Sequence, residues 1–497
     1  MTSQTAAATA ACGKYGKLWA KGHETFINRR ILSIKSTGKK GGGDTATTFL
    51  QGLVTSNLLA PPINTTNDND DVNTINNNNN GNDFYSVRST CFLDNRGRAV
   101  TDAMLWKVHN SYFLDVPSST ADTILQHLNQ YKLRRSEVDI ADVSNQVYSH
   151  AIYGTRYVGP SPSTPSFDML AAVDPRHPSL GLRCLSFGNE ATSDVRKGHF
   201  SEMFAAQNSV STQQFPSAQG SYELIRRLAG IAEGSELSGK TALECNQEWL
   251  NAVSFHKGCY LGQELTARSH FTGAIRKRIM PMFLLDQSTQ VPFHWRRQNI
   301  QTQTQRQQKE LQPNHSIDDC INNSSRLPTL SAPEAGAVMA LLLGHEIIPA
   351  AADDADDGSS VSAEEEKQGQ KEKATQKQKM DERFLALTDQ IMSDVKVGSK
   401  LVEQESGKTL GEVVSAPVAG TTVLLAQLRL ENILPKKSSW KATNKVKIQD
   451  GDGEEVMRDL RYLPYYPLWW PRHLDERTGK EKEDNNSNDG DTSAISN

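Results

Sequence analysis

Apolar residues recur at helical spacing in two stretches of the first 150 residues. Behind Asp44, which can cap a helix, one face carries Ala46, Phe49, Leu50 and Leu53. Behind Ser119 or Thr120 as the cap, a second stripe consists of Ile124, Leu125, Leu128 and Tyr131. Between the stripes, residues 86–116 form short strand-like runs separated by the turn sequences NRG and HNS. The order of helix, antiparallel strands and helix favours an α+β fold over alternating βαβ units.

Strand-like runs return after residue 275. The run RKRIMPMFLLD at 276–286 and later runs between 397 and 430, separated by SGK and AG turns, predict a small β-barrel or sandwich. The segment YLPYYPLWWPR at 462–472 is aromatic and rich in proline. Because exposed aromatic side chains are costly, we expect this segment to pack on the barrel as a strap.

Three polar stretches interrupt these elements and cannot form a core: an Asn-rich stretch at 64–83, a Gln- and Asn-rich stretch at 298–324, and a charged run at 353–382. A chain of 497 residues suggests two to four domains. We therefore divide it into a presequence at 1–28, a first lobe at 29–150 with an insertion at 62–83, a second lobe at 151–275, a barrel at 276–432 with an insertion at 288–382, and a tail at 433–497.

Composition narrows the classes of function. The net charge of -4 and a pI near 6.3 provide no global basic field, so we expect no nucleic-acid partner. The longest apolar run, at 335–344, is about half of the ~20 residues that a membrane span requires. Residues 1–23 contain Ser, Thr, Ala and Lys without an acid, which is typical of an organellar presequence, although Arg is absent there; a disordered N-terminus is the alternative.

The six cysteines lie far apart and form no CxxC pair. This spacing argues against a disulfide framework and against a zinc ribbon. A reducing compartment is the interpretation that remains.

The segment GSELSGKT at 234–241 matches the P-loop pattern GxxxxGK[ST] in full, with Lys240 at the phosphate-binding position. A P-loop needs a buried strand before the glycine turn and a helix after it. The preceding run YELIRRLAGIAEG has helical spacing, although the following ALECNQEWL could be a helix. An ATPase therefore remains a weak alternative beside a Gly-Ser turn.

The octapeptide KGCYLGQE at 257–264 contains few apolar residues for core packing and several residues with reactive or polar side chains. Lys257 beside Cys259 would favour the thiolate, which is a nucleophile or a metal ligand, and we expect these two residues to be the reactive pair. Gly258 and Gly262 would permit a tight turn that a side chain would block. Without context, a lone cysteine is more often a small buried apolar residue.

Ordered motifs from residue 29 to about 430 place this octapeptide in a wider pattern. They include RRILSIKS, DTATTFLQGLVTSNL, FLDNRGRAVTDAMLW, DPRHPSLGLR, YELIRRLAGIAEG and the segment 243–281 around the octapeptide. Together they closely resemble the YgfZ-like, folate-binding relatives of aminomethyltransferase, the T-protein of the glycine cleavage system. DPRHPSLGLR with GIAEG is similar to the mitochondrial branch, the iron–sulfur cluster assembly factors that are also labelled mitochondrial transferases.

The resemblance implies a three-lobed α+β ring with mixed and antiparallel sheets around a central folate pocket, closed by a C-terminal β-barrel. It implies that Asp102 faces the reactive nitrogen of tetrahydrofolate and that Glu244 grips the pterin, since carboxylates accept paired N–H bonds. Helix-capping or surface acids are the alternative for both. Gly258, Gly262, Gln263 and Glu264 complete the expected cofactor loop, with Glu264 and Arg268 at helical spacing.

The same resemblance implies a function in the mitochondrial matrix, late in the maturation of four-iron four-sulfur client proteins. A cluster needs about four ligands, and only Cys259 is well placed, because Cys245 shows no pairing pattern. We therefore expect Cys259 to share a transient cluster with an A-type scaffold partner, whereas His256 and His270 are expected to be polar surface residues.

Two alternatives stay open: a folate-dependent one-carbon transferase, and redox or repair chemistry by Cys259 with folate. The aminomethyltransferase segment GYTGE has no counterpart here, so turnover is not expected to be the main role.

Overall fold

The computed structural model describes residues 22–38, 44–60, 85–153, 169–177, 180–188, 221–286, 329–330, 335, 386–418, 421–433 and 445–471. The three polar stretches, residues 1–21 of the expected presequence, Cys12 and Cys320 lie outside these described residues. Gly22–Thr25 form strand β1, and Phe26 is buried.

The first lobe is built on a five-stranded antiparallel sheet in the order β3-β4-β5-β2-β6. Its strands are β2 (Arg29–Ser36), β3 (Tyr85–Leu93), β4 (Ala99–Val108), β5 (Ser111–Pro117) and β6 (Val138–Asp142). Helices α1 (Thr45–Gln51) and α2 (Ser118–Tyr131) pack their apolar stripes on one face of this sheet. The predicted order of helix, antiparallel strands and helix is confirmed.

The two predicted helix caps have different outcomes. Asp44 caps α1 as expected, since its Oδ1 accepts the backbone N–H of Thr47 at 2.9 Å. The predicted cap of α2 at Ser119 or Thr120 is wrong, because the helix follows β5 without a loop and Pro117 occupies the cap position. The Thr120 hydroxyl lies inside the first turn and donates to the Pro117 carbonyl at 3.2 Å.

The other face of the first sheet packs on a four-stranded antiparallel sheet in the order β1-β7-β9-β8. Its further strands are β7 (Val147–Tyr153), β8 (Met169–Val173) and β9 (Leu182–Phe187). Trp106 and Ile31 from the first sheet meet Leu170 and Leu185 from the second in one buried cluster. The first sheet is therefore covered by helices on one face and by strands on the other.

The C-terminal part closes into a six-stranded barrel, as predicted, in the order β10-β14-β13-β12-β15-β16. Its strands are β10 (Lys277–Leu285), β12 (Lys400–Glu403), β13 (Thr409–Ser415), β14 (Val423–Arg429), β15 (Lys445–Gln449) and β16 (Glu455–Pro464). Since β15 and β16 complete the barrel, the boundary that we placed at 432 is too early. A short β11 (Thr329–Leu330) pairs in parallel with β17 (Tyr466–Pro467).

The aromatic segment after β16 joins the barrel to helix α3 (Ser221–Leu228). The Tyr465 hydroxyl donates to the Leu228 carbonyl at 2.9 Å, and the Trp469 indole N–H donates to the Ala229 carbonyl at 2.7 Å. The remaining helices are α4 (Gln263–Phe271), α5 (386–394) and α6 (Leu430–Ile433). None of the described helices has the length and apolar character to cross a membrane.

The segment 234–241 lacks the architecture of a P-loop. Helix α3 precedes it where a P-loop has a strand, and its Gly234–Glu236 portion is a single 3₁₀ turn. Its end pairs with the start of β4, since the Ala99 N–H donates to the Lys240 carbonyl at 2.7 Å. Residues 242–250 form turns and not the helix that the sequence allowed there. The nucleotide interpretation therefore has no structural support.

Candidate functional site

The cysteine loop, residues 254–262, lies against the end of α1 and the turn that follows it, residues 51–57. The Ser254 N–H donates to the Thr55 carbonyl at 3.0 Å, and the Leu261 N–H donates to the Gly52 carbonyl at 2.9 Å. Cys259 lies between these two bonds and is exposed. The site is therefore built from two segments about 200 residues apart in sequence.

Lys257 fastens this loop to the first lobe. Its Nζ donates to the carbonyls of Gln51 at 2.8 Å, Val54 at 2.6 Å and Ser56 at 2.9 Å. A lysine ammonium has three N–H donors, so these carbonyls use all of them. No donor of Lys257 is therefore left for a hydrogen bond to Cys259, so the expected support of the thiolate by Lys257 does not come from such a bond.

Burial lowers the pKa of Lys257 to about 8. The ammonium lies 4.7 Å from the centre of the Tyr260 ring, which supplies a cation–π contact on its remaining side. Its carbonyl partners come from the C-terminal turn of α1 and the residues after it, where the helix dipole favours a positive charge. The structure thus gives Lys257 a structural contact that links the loop to α1.

The two glycines of the octapeptide have different structural requirements. Gly262 has a φ of +77°, and a Cβ there would lie 2.7 Å from the Asp94 carbonyl oxygen and 2.9 Å from the Gly97 Cα. A Cβ on Gly258 would meet nothing within 4 Å. The prediction that a side chain would be blocked is therefore confirmed at Gly262 and wrong at Gly258.

Helix α4 begins at Gln263, directly after the Gly262 cap. Glu264 and Arg268 belong to its first two turns, and the described contacts contain no ion pair between them. His270 stacks on Phe255 with ring centroids 3.5 Å apart, while His256 is exposed. Among the described residues, no group of three or more His, Cys, Asp or Glu side chains could hold a metal ion.

Cys259 differs from the other described cysteines in its access to solvent. Cys91, Cys184 and Cys245 are buried. Burial raises the pKa of the Cys184 thiol to about 12 and raises the pKa values of Cys91 and Cys245 as well. Because a thiolate is the metal ligand and the nucleophile, these buried thiols are poorly suited to either role.

Asp102, which we expected to face a folate nitrogen, lies inside the protein at 2% exposure. Its Oδ1 accepts the Gly234 N–H at 2.7 Å, and its Oδ2 lies 4.0 Å from the Arg176 guanidinium. Burial, followed by the nearby Glu233 charge, raises the pKa of Asp102. Both oxygens face groups of the protein itself, so this arrangement does not fit the expected contact with tetrahydrofolate.

Glu244, which we expected to grip the pterin, caps its own turn. Its Oε2 accepts the Thr241 N–H at 2.9 Å and lies 3.9 Å from the Arg98 guanidinium. This contact closes a turn, and the cofactor role of Glu244 stays a prediction of the family resemblance. No chemical step through a folate is therefore derived from these two carboxylates.

Glu233 is the centre of a buried ion network that the sequence reasoning did not identify. Its carboxylate is 2.9 Å from Arg29 Nη1 and 3.3 Å from Arg183 Nη2, and it also accepts from Arg176. Although burial acts to raise it, these guanidinium groups hold the pKa of Glu233 well below its ordinary value. Asp115 and Asp174 pair with the same arginines.

The network joins the two sheets. Arg29 and Asp115 lie on β2 and β5, whereas Arg183 lies on β9 and Glu233 follows α3. The signal in the sequence was the set of charged residues within DPRHPSLGLR and GIAEG, which sequence reasoning treated only as family motifs. Their meeting depends on the packing of the sheets, which no local pattern gives.

The chain is an α+β protein with a C-terminal barrel. Its exposed cysteine lies on a loop that hydrogen bonds hold to the first lobe. No protein-family model matches the chain. Over 286 residues it is 32% identical to the mitochondrial iron–sulfur cluster assembly factor IBA57 homolog of Aspergillus oryzae, covering 53% of this chain and 57% of that protein. The proteins of the same name from Dictyostelium discoideum and Neurospora crassa are 31% and 30% identical, with 63% and 53% of their lengths covered.

The chain thus spans less than two thirds of each of these curated relatives. The resemblance to mitochondrial iron–sulfur cluster assembly factors is confirmed at this level of sequence similarity. Among solved structures, the glycine cleavage system aminomethyltransferase T from Bartonella henselae is similar with a TM-score of 0.45 and 10% identity, covering 94% of this chain and 91% of that one.

Proposed function

We propose that this protein is a mitochondrial iron–sulfur cluster assembly factor in which Cys259 supplies one thiolate ligand to a cluster. The observation that carries the proposal is the contrast between Cys259 and the other described cysteines, since Cys259 alone among them is exposed. Similarity to relatives named as mitochondrial iron–sulfur assembly factors supports the same function.

A single thiolate requires partners for the remaining coordination positions. Iron–sulfur clusters are usually held by about four protein ligands, and the described residues contain no group of three or more His, Cys, Asp or Glu side chains that could hold a metal ion. We propose that an A-type scaffold protein supplies the other ligands, and that the shared cluster is cargo destined for four-iron four-sulfur client proteins in the mitochondrial matrix.

The loop geometry suits shared ligation. Cys259 is held on a loop whose two ends are bonded to the first lobe, and its side chain is left accessible. A fixed backbone lowers the entropy lost when a ligand binds to it. The thiolate is the form of cysteine that ligates iron.

The test is anaerobic reconstitution of the full chain with an A-type scaffold protein, iron and sulfide. We expect a cluster-bearing heteromer, seen by visible absorption and native mass, that is lost in Cys259→Ser. Cys184→Ser is the matched control, because it removes a buried thiol and should leave the complex intact. Equal complexes from wild type and Cys259→Ser would contradict the proposal.

Tetrahydrofolate binding and one-carbon transfer stay predictions of the family resemblance. Folate turnover that is abolished by Asp102→Asn, in a variant with unchanged folding, would favour the transferase. An assembly factor should show no such turnover and should depend on Cys259 instead. Redox or repair chemistry is distinguished by substrate turnover in the absence of any scaffold.

A further inference from the structure

Helix α4, which follows the cysteine loop directly, turns one of its faces to solvent. Glu264, Arg268 and Phe271 are exposed, and they lie at positions i, i+4 and i+7 of the same helix face. Thr266, on another side of the helix, is buried at 1% exposure. We call the exposed stripe of Glu264, Arg268 and Phe271 the α4 face. It belongs to a helix that packing holds in place, so its side chains start from a fixed backbone.

Phe271 is 68% exposed although two other rings hold it. Its ring stands edge-on to His270, with centroids 4.8 Å apart, and edge-on to Phe255, with centroids 6.2 Å apart. Phe255 is part of the cysteine loop, so the aromatic group is attached to the segment that carries Cys259. A fixed aromatic ring loses little conformational freedom when a partner covers it, and aromatic residues are enriched in the cores of protein interfaces. Phe271 therefore has the properties of an interface anchor.

Arg268 adds a charge to the same stripe, one helical turn before Phe271. Among the described residues its guanidinium has no hydrogen-bond or ion-pair partner, and it does not pair with Glu264. Arginine is enriched at the residues that contribute most to binding in interfaces, and its planar fork matches a carboxylate with two hydrogen bonds. The α4 face thus fits a partner that offers an apolar recess for Phe271 beside a carboxylate for Arg268. Glu264, at the other end of the stripe, would accept from a basic group.

Ligation by Cys259 indicates which protein covers this face. Phe255 precedes Cys259 by four residues, so their Cα atoms are at most about 14 Å apart. A protein interface of standard size buries about 800 Å² on each partner, which as a disc has a radius of about 16 Å. A protein that shares a cluster with Cys259 is centred on that thiolate. Its contact surface therefore extends to Phe255 and to the Phe271 ring that packs on Phe255.

We propose that the α4 face is the docking surface for the protein that supplies the remaining cluster ligands, with Phe271 in an apolar recess and Arg268 paired with a carboxylate of that protein. This inference rests on the proposed function and adds the surface that selects the partner. One thiolate alone gives little specificity, because a single iron–sulfur bond does not distinguish one cluster-bearing protein from another. Side chains that touch the partner but not the cluster would supply that specificity.

The test measures the dissociation constant of the anaerobic heteromer between the full chain and an A-type scaffold protein, and reads cluster content separately from visible absorption at saturating scaffold. We expect Phe271→Ala to weaken the heteromer about tenfold or more, with unchanged absorption at saturation. Because Phe271 is largely exposed, the melting temperature of this variant should stay within about 2 °C of wild type. Arg268→Ala should slow association at low salt, and the difference should shrink at high salt because ions screen exposed charges.

Leu133→Ala is the matched control, because Leu133 is also exposed, at 52%, but lies between α2 and the next 3₁₀ turn. It should leave the dissociation constant unchanged, and equal weakening by Leu133→Ala would overturn the proposal. Wild-type affinity in Phe271→Ala would overturn docking at this face even where Cys259→Ser loses the cluster.

The two proposals fail in different ways. A cluster that persists in Cys259→Ser, together with weak binding by Phe271→Ala, would contradict ligation and support docking. Lower cluster absorption of Phe271→Ala at saturating scaffold would show that Phe271 positions Cys259 instead of docking the partner, which overturns the inference. A homodimer of the wild-type chain that Phe271→Ala dissociates would assign the α4 face to a second copy of this chain, which overturns it as well.

Discussion

Glu233→Gln tests whether the buried ion network holds the two sheets together. The charges and the hydrogen-bond geometry of the network predict opposite changes in stability for this variant. In the described part of the chain, five guanidinium groups face six carboxylates: Arg29, Arg176, Arg183, Arg226 and Arg227 against Asp102, Asp115, Asp174, Glu223, Glu233 and Glu236. A count of charges alone predicts that removing one negative charge is neutral or stabilising. The geometry predicts a loss of stability, because Glu233 accepts from several donors at once.

The magnitude follows from the contacts. The amide that Glu233→Gln introduces would direct N–H donors at Arg29 or Arg176, which loses one hydrogen bond to a charged group, worth about 1.5–3 kcal/mol. The weaker charge on the remaining oxygen costs about 1–2 kcal/mol more at the other guanidinium groups. Relief of the Asp102–Glu233 repulsion, which raises the pKa of Asp102, offsets part of this loss. The expected net loss is about 3 kcal/mol, similar to the breaking of other buried ion pairs.

Thermal and urea denaturation followed by circular dichroism measure this loss. At about 2–4 °C for each kcal/mol, we expect the melting temperature to fall by about 6–12 °C. Glu405→Gln is the matched control, because Glu405 is exposed in a turn and its replacement should change stability by less than about 0.5 kcal/mol. A Glu233→Gln variant as stable as wild type would refute the geometric reasoning and support the charge count.

The pH dependence of stability provides a second comparison of wild type with Glu233→Gln. The pKa of Glu233 in the folded protein lies well below its ordinary value of 4.5. Its stabilising contribution is therefore complete above about pH 4.5 and is lost as the pH falls through the folded pKa. The difference between wild type and Glu233→Gln should be constant from about pH 7 to 5 and should shrink below about pH 4. A difference that grows under acid would contradict this assignment.

The loop yields two further predictions. Gly262→Ala should lower the free energy of unfolding by about 2 kcal/mol, because it adds a Cβ at positive φ against the Asp94 carbonyl. Gly258→Ala is the control and should cost less than about 0.5 kcal/mol. Urea midpoints measure both losses, and similar losses would show that the close approach at Gly262 does not limit stability. Lys257→Met should lower stability at about pH 7 by about 1–3 kcal/mol through the loss of three hydrogen bonds to carbonyls. Because the folded pKa of Lys257 is about 8 and its ordinary value is 10.5, the unfolded chain binds more protons between these values. The gap between wild type and Lys257→Met should therefore widen from about pH 8 to 10.5, and a narrowing gap in urea titrations would contradict the cause given for the shift.

Local patterns predicted the elements whose causes are local. The Asp44 cap lies next to the helix that it starts, and barrel strands β10, β13 and β14 are short, mostly buried runs. The cap of α2 was wrong because the connection from β5, not the local hydroxyls, sets where that helix begins. Strands β15 and β16 were missed because their place in the barrel comes from pairing with β12 and β10, which are distant in sequence.

The candidate site also has features that local sequence predicts and features that distant contacts determine. A cysteine beside glycines and a lysine indicated chemistry at Cys259, but the partners of Lys257 lie about 200 residues earlier in the chain. The pairing of a lysine with its neighbouring cysteine is a local inference, and three carbonyls from the first lobe compete with it. The roles of Asp102 and Glu244 came from resemblance alone, whereas the structure shows each carboxylate accepting from a backbone N–H, that of Gly234 and that of Thr241.

The octapeptide is therefore only one half of the site. Its other half is the turn at 51–57, which supplies every carbonyl that Lys257 bonds and both carbonyls that fix the loop ends. Closing about 200 residues of chain to bring the two halves together costs entropy that the loop bonds alone would not recover. That entropy loss is offset by the packing of the two sheets and by the Glu233 network, because these contacts bring the two segments together independently of the loop. Cys259 can then reach solvent on a fixed backbone, and its position depends on the fold of both lobes.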